Sequence, residues 1–135
     1  MVRVIISIFL LLHGFVHLLY FGHSQRYFEL QPGLTWPEDS WFFSNLFRGK
    51  IIRLIASISM VLVAIFFILA GVVLFFDHTW WHELLIIAIS ISSLFYILLW
   101  NGKMNQLPDQ GLVGILINLS FIVFIFILNC PTVNL

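Results

Sequence analysis

Four long apolar runs constrain the fold of this chain more than any other feature. They occupy residues 4–22, 51–76, 82–100 and 111–129, and a helix needs about 20 residues to cross the roughly 30 Å hydrocarbon core of a bilayer. In lipid, only helices and closed barrels pair every backbone amide. The runs do not alternate with period two and are too few for a barrel. The sequence therefore predicts an all-α, antiparallel four-helix membrane bundle, a single transmembrane domain over residues 1–135.

The composition excludes several classes of protein. Apolar residues make up 61% of the chain and charged residues 9%, and the mean hydropathy is +1.08, whereas soluble domains carry roughly a quarter charged residues. A water-soluble enzyme, a nucleic-acid binder and a disordered tail are therefore excluded. The net charge of zero also removes electrostatic attraction to nucleic acid. The single cysteine, Cys130, cannot form an internal disulfide or a multi-cysteine metal site.

The distribution of basic residues predicts how the bundle sits in a cell membrane. Cytoplasmic loops are enriched in Lys and Arg. Arg3 is the one basic residue on the side of the termini and the second loop (about residues 77–83), and the other five lie in or beside the first loop (residues 23–50) and the third loop (residues 101–110). We therefore expect loops 1 and 3 in the cytoplasm and both termini outside. Two histidines inside the first run favour a retained helix over a cleaved signal peptide.

Loop 1, residues 23–50, is the largest segment between the runs. Pro32 and Gly33 indicate a turn, and Thr35 with Glu38 three positions later matches a capping box. The pattern predicts a short interfacial amphipathic helix that ends at Gly49 and lies at the headgroup level or folds over the mouth of the bundle. The side chains expected to close that mouth are Trp41, Phe43 and Phe47.

Polar residues recur inside the predicted spans, where burial is costly and polar side chains usually face the bundle interior. His13 and His17 are four residues apart and share one helix face, with Tyr20 one turn further. The other spans contribute Arg53, Ser57, Ser93, Tyr96 and Asn118.

The positions of these polar residues along their spans suggest that several of them meet at one depth in the membrane. Counted from the cytoplasmic end, His17, Ser57, Ser93 and Asn118 each lie five to seven residues into their spans, roughly 8–10 Å deep. A pocket lined by aromatic residues and a few polar groups is typical of binding sites. We therefore predict an intramembrane pocket for a small amphiphile such as a quinone or lipid. Its predicted ligand-binding residues are His13, His17, Tyr20, Arg53, Ser93, Tyr96 and Asn118.

In this hypothesis His17 and Asn118 hydrogen-bond the polar head of the amphiphile. His13 exchanges a proton or orients His17, and Arg53 steers anionic groups. No catalytic residue is assigned, because the sequence contains no nucleophile motif. Redox chemistry on a quinone would need an electron-donating partner subunit, since the chain holds no redox centre of its own.

Two other hypotheses stay open. The chain is alternatively a structural or accessory subunit, self-associated or in a larger complex, whose polar residues serve only helix packing. An open cavity bordered by His17 and Asn118 favours the pocket, whereas pairing of these groups with each other favours the structural hypothesis. A proton pathway along His13 and His17 would need a continuous polar route, but the outer halves of the second and fourth spans are mostly aliphatic and phenyl.

The histidine pair does not predict a metal or haem site. Zinc needs at least a third protein ligand, and no Asp, Glu or Cys lies at the depth of His13 and His17. Two histidines on one helix face cannot approach a haem iron from opposite sides, so a bis-histidine haem is not expected. The sequence thus predicts no metal, and a quinone is preferred to haem as a cofactor.

Four short segments resemble a known family. The chain is similar to the small four-span bacterial and archaeal membrane proteins grouped as DoxX-like, over residues 13–17 (HGFVH), 32–41 (PGLTWPEDSW), 99–103 (LWNGK) and 107–111 (LPDQG). A few named members of that group are associated with quinone-linked oxidation of small sulfur compounds, as the membrane subunit. The resemblance implies a four-span fold and, at most, a quinone or lipid pocket. It carries over no catalytic residues.

Overall fold

The computed structural model describes residues 1–128, which form an all-α bundle. Its helices are α1 (Val2–Ser24), α2 (Gly49–Phe75), α3 (Trp81–Leu99) and α4 (Leu112–Leu128). No strand occurs among the described residues. The helices begin and end close to the four predicted runs, which confirms the all-helical class. The last residue predicted for the fourth run, 129, and Cys130 lie outside the described residues.

The helices have the length and surface of a membrane protein. α1, α2 and α3 are long and apolar enough to cross a membrane, and α4 is a shorter apolar helix. Large apolar side chains are exposed on all four helices, whereas His17, Ser92 and Asn118 are buried. In soluble proteins, by contrast, large aliphatic and aromatic side chains are most often buried, and Ser and Asn are mostly exposed. The finding supports a membrane protein.

Small residues allow α1 and α2 to pack closely. A Cβ atom added to Gly14 would lie 2.8 Å from Ile68 Cγ1, and one added to Gly71 would lie 3.0 Å from the carbonyl oxygen of Ser7. α2 also packs against α3, and α4 packs mainly against α3 and the turn that precedes α4. The bundle is therefore tightest between α1 and α2 and loosest around α4.

The prediction of an amphipathic helix in loop 1 is wrong. The segment consists of turns and a single 3₁₀ turn at Phe43–Asn45. Thr35 Oγ1 donates to Asp39 Oδ2 at 2.7 Å, and Glu38 binds Arg26 instead of completing a capping box. Gly49 does not end a helix but begins α2.

Loop 1 instead covers the carboxyl end of α3. Ser40 Oγ donates to the carbonyl oxygen of Leu98 at 2.7 Å, and Trp41 Nε1 donates to that of Ile97 at 2.8 Å. The last carbonyl groups of a helix have no partner inside it, so these donors satisfy acceptors that would otherwise be unpaired. Within loop 1, the side chain of Trp36 is buried, whereas that of Trp41, which was expected to close the mouth of the bundle, is about half exposed.

Candidate functional site

His17 lies at the centre of the polar site, where the two apolar clusters of the bundle meet. Its side chain is fully buried, and its ring stacks on Phe67 of α2 with centroids 5.3 Å apart. The Tyr96 hydroxyl lies 3.3 Å from His17 Nδ1 and the Ser92 hydroxyl 3.5 Å from Nε2. A neutral imidazole has one donor and one acceptor nitrogen, so α3 provides a partner for each.

Asn118 connects α4 to the same network. Its Nδ2 donates to the hydroxyl oxygens of Ser92 and Ser93, both at 3.0 Å. Because Ser92 also contacts His17, a continuous path of hydrogen bonds joins α1, α3 and α4. His17, Ser93, Tyr96 and Asn118 therefore belong to one site, although the link between His17 and Asn118 runs through Ser92.

His13 lies one turn away from His17 and is also buried, but its hydrogen bonding is incomplete. Its ring meets the rings of His17, Phe67 and Phe121 edge-on or at a steep angle, with centroids 4.6–5.9 Å apart. The Asn118 side chain faces His13. Among the described residues, however, neither His13 Nε2 nor Asn118 Oδ1 has a hydrogen-bond partner. The site thus contains an unpaired nitrogen and an unpaired oxygen.

Tyr20 and Tyr96 extend the site toward loop 1. The Tyr20 ring lies 5.4 Å from the Tyr96 ring and 5.2 Å from Trp36, and its hydroxyl donates to the Asp109 carbonyl oxygen at 3.4 Å. Tyr20 thus borders the site through Tyr96 without touching the histidines by a polar contact. The Tyr96 ring also packs against the glycines of residues 111–114, where an added Cβ would overlap it. These glycines serve internal packing.

Ser57 and Arg53 do not join the predicted layer. Ser57 lies against Ser24, with hydroxyl oxygens 2.7 Å apart, and α2 meets His17 at Phe67, ten residues or about 15 Å further along the helix. Arg53 binds Glu38 in loop 1, with Nε 3.3 Å from Oε1. Counting from the charged ends failed here because α2 extends about two turns beyond the end of α1: Ser24, the last residue of α1, contacts Ser57, eight residues after the start of α2.

The described part of the chain carries surface grooves of about 270–380 Å³, and the lining of the four best formed includes neither His17 nor Asn118. No open cavity bordered by His17 and Asn118, which would favour the pocket hypothesis, is therefore seen in this part of the chain, and the two side chains are linked through Ser92 and not directly to each other. One groove of about 350 Å³ lies between α1 and α4, and Phe121 lines it. Phe121 also contacts the ring of His13, so one side chain borders both the groove and the histidine.

No group of three or more His, Cys, Asp or Glu side chains that could hold a metal ion occurs within residues 1–128.

The chain matches no protein family, no curated protein and no solved structure. The DoxX-like resemblance therefore stays a prediction, and the geometry of the site is the main guide to function.

Sequence reasoning missed three residues of the site. No sequence motif predicts the contacts of these residues, which are Ser92, Phe67 and Trp36. Ser92 stood next to the predicted Ser93, and both contact Asn118. The rotation of α3 that turns both hydroxyls toward α4 depends on tertiary packing.

Proposed function

We propose that the protein is an integral membrane protein whose four helices cross the bilayer in alternating directions, with loops 1 and 3 in the cytoplasm. Contacts at the two ends of α1 support the alternating order. Ser24 contacts Ser57 near the start of α2, whereas Arg3 forms an ion pair with Asp77, just after the end of α2. The excess of Lys and Arg around loops 1 and 3 supports the orientation.

We further propose that the bundle binds the polar head of a membrane-soluble amphiphile, a quinone or a lipid, at His13 and Asn118. The observation that carries this proposal is that two neighbouring buried atoms of the bundle interior, His13 Nε2 and Asn118 Oδ1, have no hydrogen-bond partner within residues 1–128. A buried polar group without a partner costs about 1–3 kcal/mol. A ligand that satisfies both atoms recovers that free energy.

The groove between α1 and α4 is the proposed entry route from the lipid. α1 and α4 share few contacts with each other, so rotation of the Phe121 ring would open the groove toward His13. In this arrangement His13 donates to a carbonyl oxygen of the ligand, and Asn118 accepts from a hydroxyl group. His17 has partners on both nitrogens and acts as a positioning residue that holds the edge of the His13 ring.

The proposed roles of the other residues follow from their positions. Ser93 and Tyr96 orient Asn118 and His17, and Tyr20 packs behind Tyr96. Arg53 belongs to the loop 1 surface and has no part in this binding site. Electron transfer to a bound quinone, as the DoxX-like resemblance implies, would require a redox partner subunit.

A second candidate function is that of a structural or accessory subunit. The observation in its favour is the continuous path of hydrogen bonds from His17 through Ser92 to Asn118, which ties three helices together through their own side chains. In this reading a hydrogen bond between His13 and Asn118 forms with a small adjustment of the side chains. No amphiphile would then bind at this site.

Titration of the purified protein with a short-chain quinone analogue, followed by calorimetry, tests the proposal. The variant is His13→Leu, and the matched control is His78→Leu, at an exposed histidine outside the site. We expect one quinone bound per chain by the parent and the control, and at least tenfold weaker binding by His13→Leu. Absence of binding by the parent, or equal binding by His13→Leu, overturns the proposal.

The stability of the same variant separates the two candidate functions. Under the binding proposal, His13→Leu removes an unpaired polar atom, so the free energy of unfolding stays unchanged or rises. A clear loss of stability would mean that His13 has a partner inside the fold and would favour the structural function.

A further inference from the structure

Two of the surface grooves lie end to end on the face that α1 and α2 share. The first has a volume of about 340 Å³ and is lined by Ser24, Gln25, Lys50, Ile51, Arg53 and Leu54. The second has a volume of about 380 Å³ and is lined by residues that include Phe21, Gln25, Leu54, Ile58, Leu62 and Ile65. Because Gln25 and Leu54 line both grooves, the two form one continuous depression, called here the α1–α2 groove.

One end of the α1–α2 groove is positively charged. Lys50 and Arg53 both line it, and Lys50 forms no ion pair among the described residues. Arg53 shares the carboxylate of Glu38 with Arg26, at 3.3 Å and 3.0 Å respectively. One carboxylate thus serves two guanidinium groups, and this end of the groove keeps an excess of positive charge.

The rest of the α1–α2 groove is apolar and has the length of one membrane leaflet. From Leu54 to Ile65 the helix rises through eleven residues, or about 16 Å. Half of the roughly 30 Å hydrocarbon core is about 15 Å. The apolar part of the groove therefore matches the depth to which an acyl chain extends, and the charged part lies where a headgroup would be.

We propose that the α1–α2 groove binds one anionic glycerophospholipid. The phosphate lies between Lys50 and Arg53, and an acyl chain lies along Leu54, Ile58 and Leu62. Gln25 lies at the junction between the charged part and the apolar part of the groove. A hydrogen bond from its Nε2 to Ser57 Oγ, at 2.5 Å, holds the side chain there. The inference depends on the membrane insertion proposed above. It does not depend on the His13 site, because His13 is buried against Phe67 and Phe121 and does not line the groove.

Native mass spectrometry of the full chain in detergent tests this inference. The probes are phosphatidylglycerol and phosphatidylcholine with identical acyl chains. We expect phosphatidylglycerol to bind with a stoichiometry of one and at least fivefold more tightly than phosphatidylcholine. One basic residue near an anionic lipid corresponds to about a fivefold change in affinity. Equal binding of the two lipids overturns the proposal.

Two pairs of variants locate the binding site. Lys50→Ala should reduce phosphatidylglycerol binding about fivefold, whereas Lys103→Ala, in loop 3, should leave it unchanged. Leu54→Trp fills the junction of the two parts and should block both lipids, whereas Leu94→Trp, at an exposed position of α3, should not. Equal effects within either pair overturn the proposed location.

Inorganic phosphate distinguishes a lipid site from a free phosphate site. Added phosphate should leave phosphatidylglycerol binding unchanged, because the acyl chain supplies most of the affinity. Displacement of the lipid by millimolar phosphate would overturn the proposal in favour of a simple anion site. None of these measurements uses a quinone, so their outcome is independent of the test at His13.

Discussion

At the scale of single residues, the buried imidazole of His17 links α1 to both α2 and α3. It contacts hydroxyl groups of Ser92 and Tyr96 and stacks on Phe67. Hydrogen bonds between helices in a membrane each contribute about 0.6 kcal/mol, and at most about 1.7 kcal/mol. We expect His17→Leu to lower the free energy of unfolding by about 1–3 kcal/mol, measured by unfolding in mixed detergent micelles.

The control for this measurement is His78→Leu, which makes the same substitution at an exposed position. Surface substitutions usually change stability by less than about 0.5 kcal/mol. If His17→Leu were as stable as His78→Leu, the hydrogen bonds of His17 would make no net contribution, and the site would have to be reinterpreted.

The sequence predicted part of this site for a clear physical reason. His13 and His17 are four residues apart, so any α-helix places them on one face, and the cost of burying polar groups in lipid turns that face inward. The partners could not be predicted in the same way. Whether His17 meets Ser57 of α2 or Ser92 of α3 depends on how far each helix slides and rotates, and residue counting does not give either quantity.

At the scale of elements, the contact between loop 1 and the end of α3 depends on Ser40. Its buried hydroxyl donates to the Leu98 carbonyl oxygen and accepts from the Phe43 amide at 2.9 Å. With about 1 kcal/mol for each hydrogen bond, we expect Ser40→Ala to destabilise the loop by about 1–2 kcal/mol. Tryptic cleavage at Arg48 should then become about tenfold faster, because cleavage follows the population of the opened loop.

Ser44→Ala is the matched control, because Ser44 is exposed and bonds only to the Ser40 carbonyl oxygen nearby. Its cleavage rate should stay close to that of the parent. Similar cleavage rates for the two variants would show that loop 1 is not anchored through the Ser40 hydroxyl.

The predicted loop 1 helix does not form because loop 1 makes hydrogen bonds to the end of α3 instead. The local pattern of Thr35 and Glu38 favours a helix start, but the carbonyl groups at the end of α3 need donors. The Ser40 and Trp41 side chains supply two of them, and the Trp41 backbone amide donates to the Trp100 carbonyl oxygen at 2.7 Å. A regular helix through this segment would use that amide for its own hydrogen bonding. The tertiary contact therefore overrides the local preference, and the sequence of the loop alone does not contain that information.

At the scale of the whole molecule, the distribution of polar and apolar groups follows from the solvent. In lipid, the apolar surface costs nothing, and the polar groups of α1, α3 and α4 gain by meeting in the interior. The sequence therefore predicted the helical class and the inward-facing histidines well. It could not predict that α4 packs mainly on α3, which leaves the groove beside α1 open.

The orientation of the molecule is the last property to test. Five of the six basic residues lie in or near loops 1 and 3, so these loops should face the cytoplasm. In a Cys130→Ser background, we expect a membrane-impermeant maleimide to label Thr79→Cys in loop 2 on intact cells. Ser44→Cys in loop 1 should react only after lysis, and Lys103→Cys in loop 3 should behave in the same way. Labelling of Ser44→Cys on intact cells would reverse the orientation and would place the positive end of the α1–α2 groove at the outer leaflet. Labelling of Ser44→Cys and Thr79→Cys from the same side would contradict a membrane crossing by α2, because α2 is the one span between loops 1 and 2.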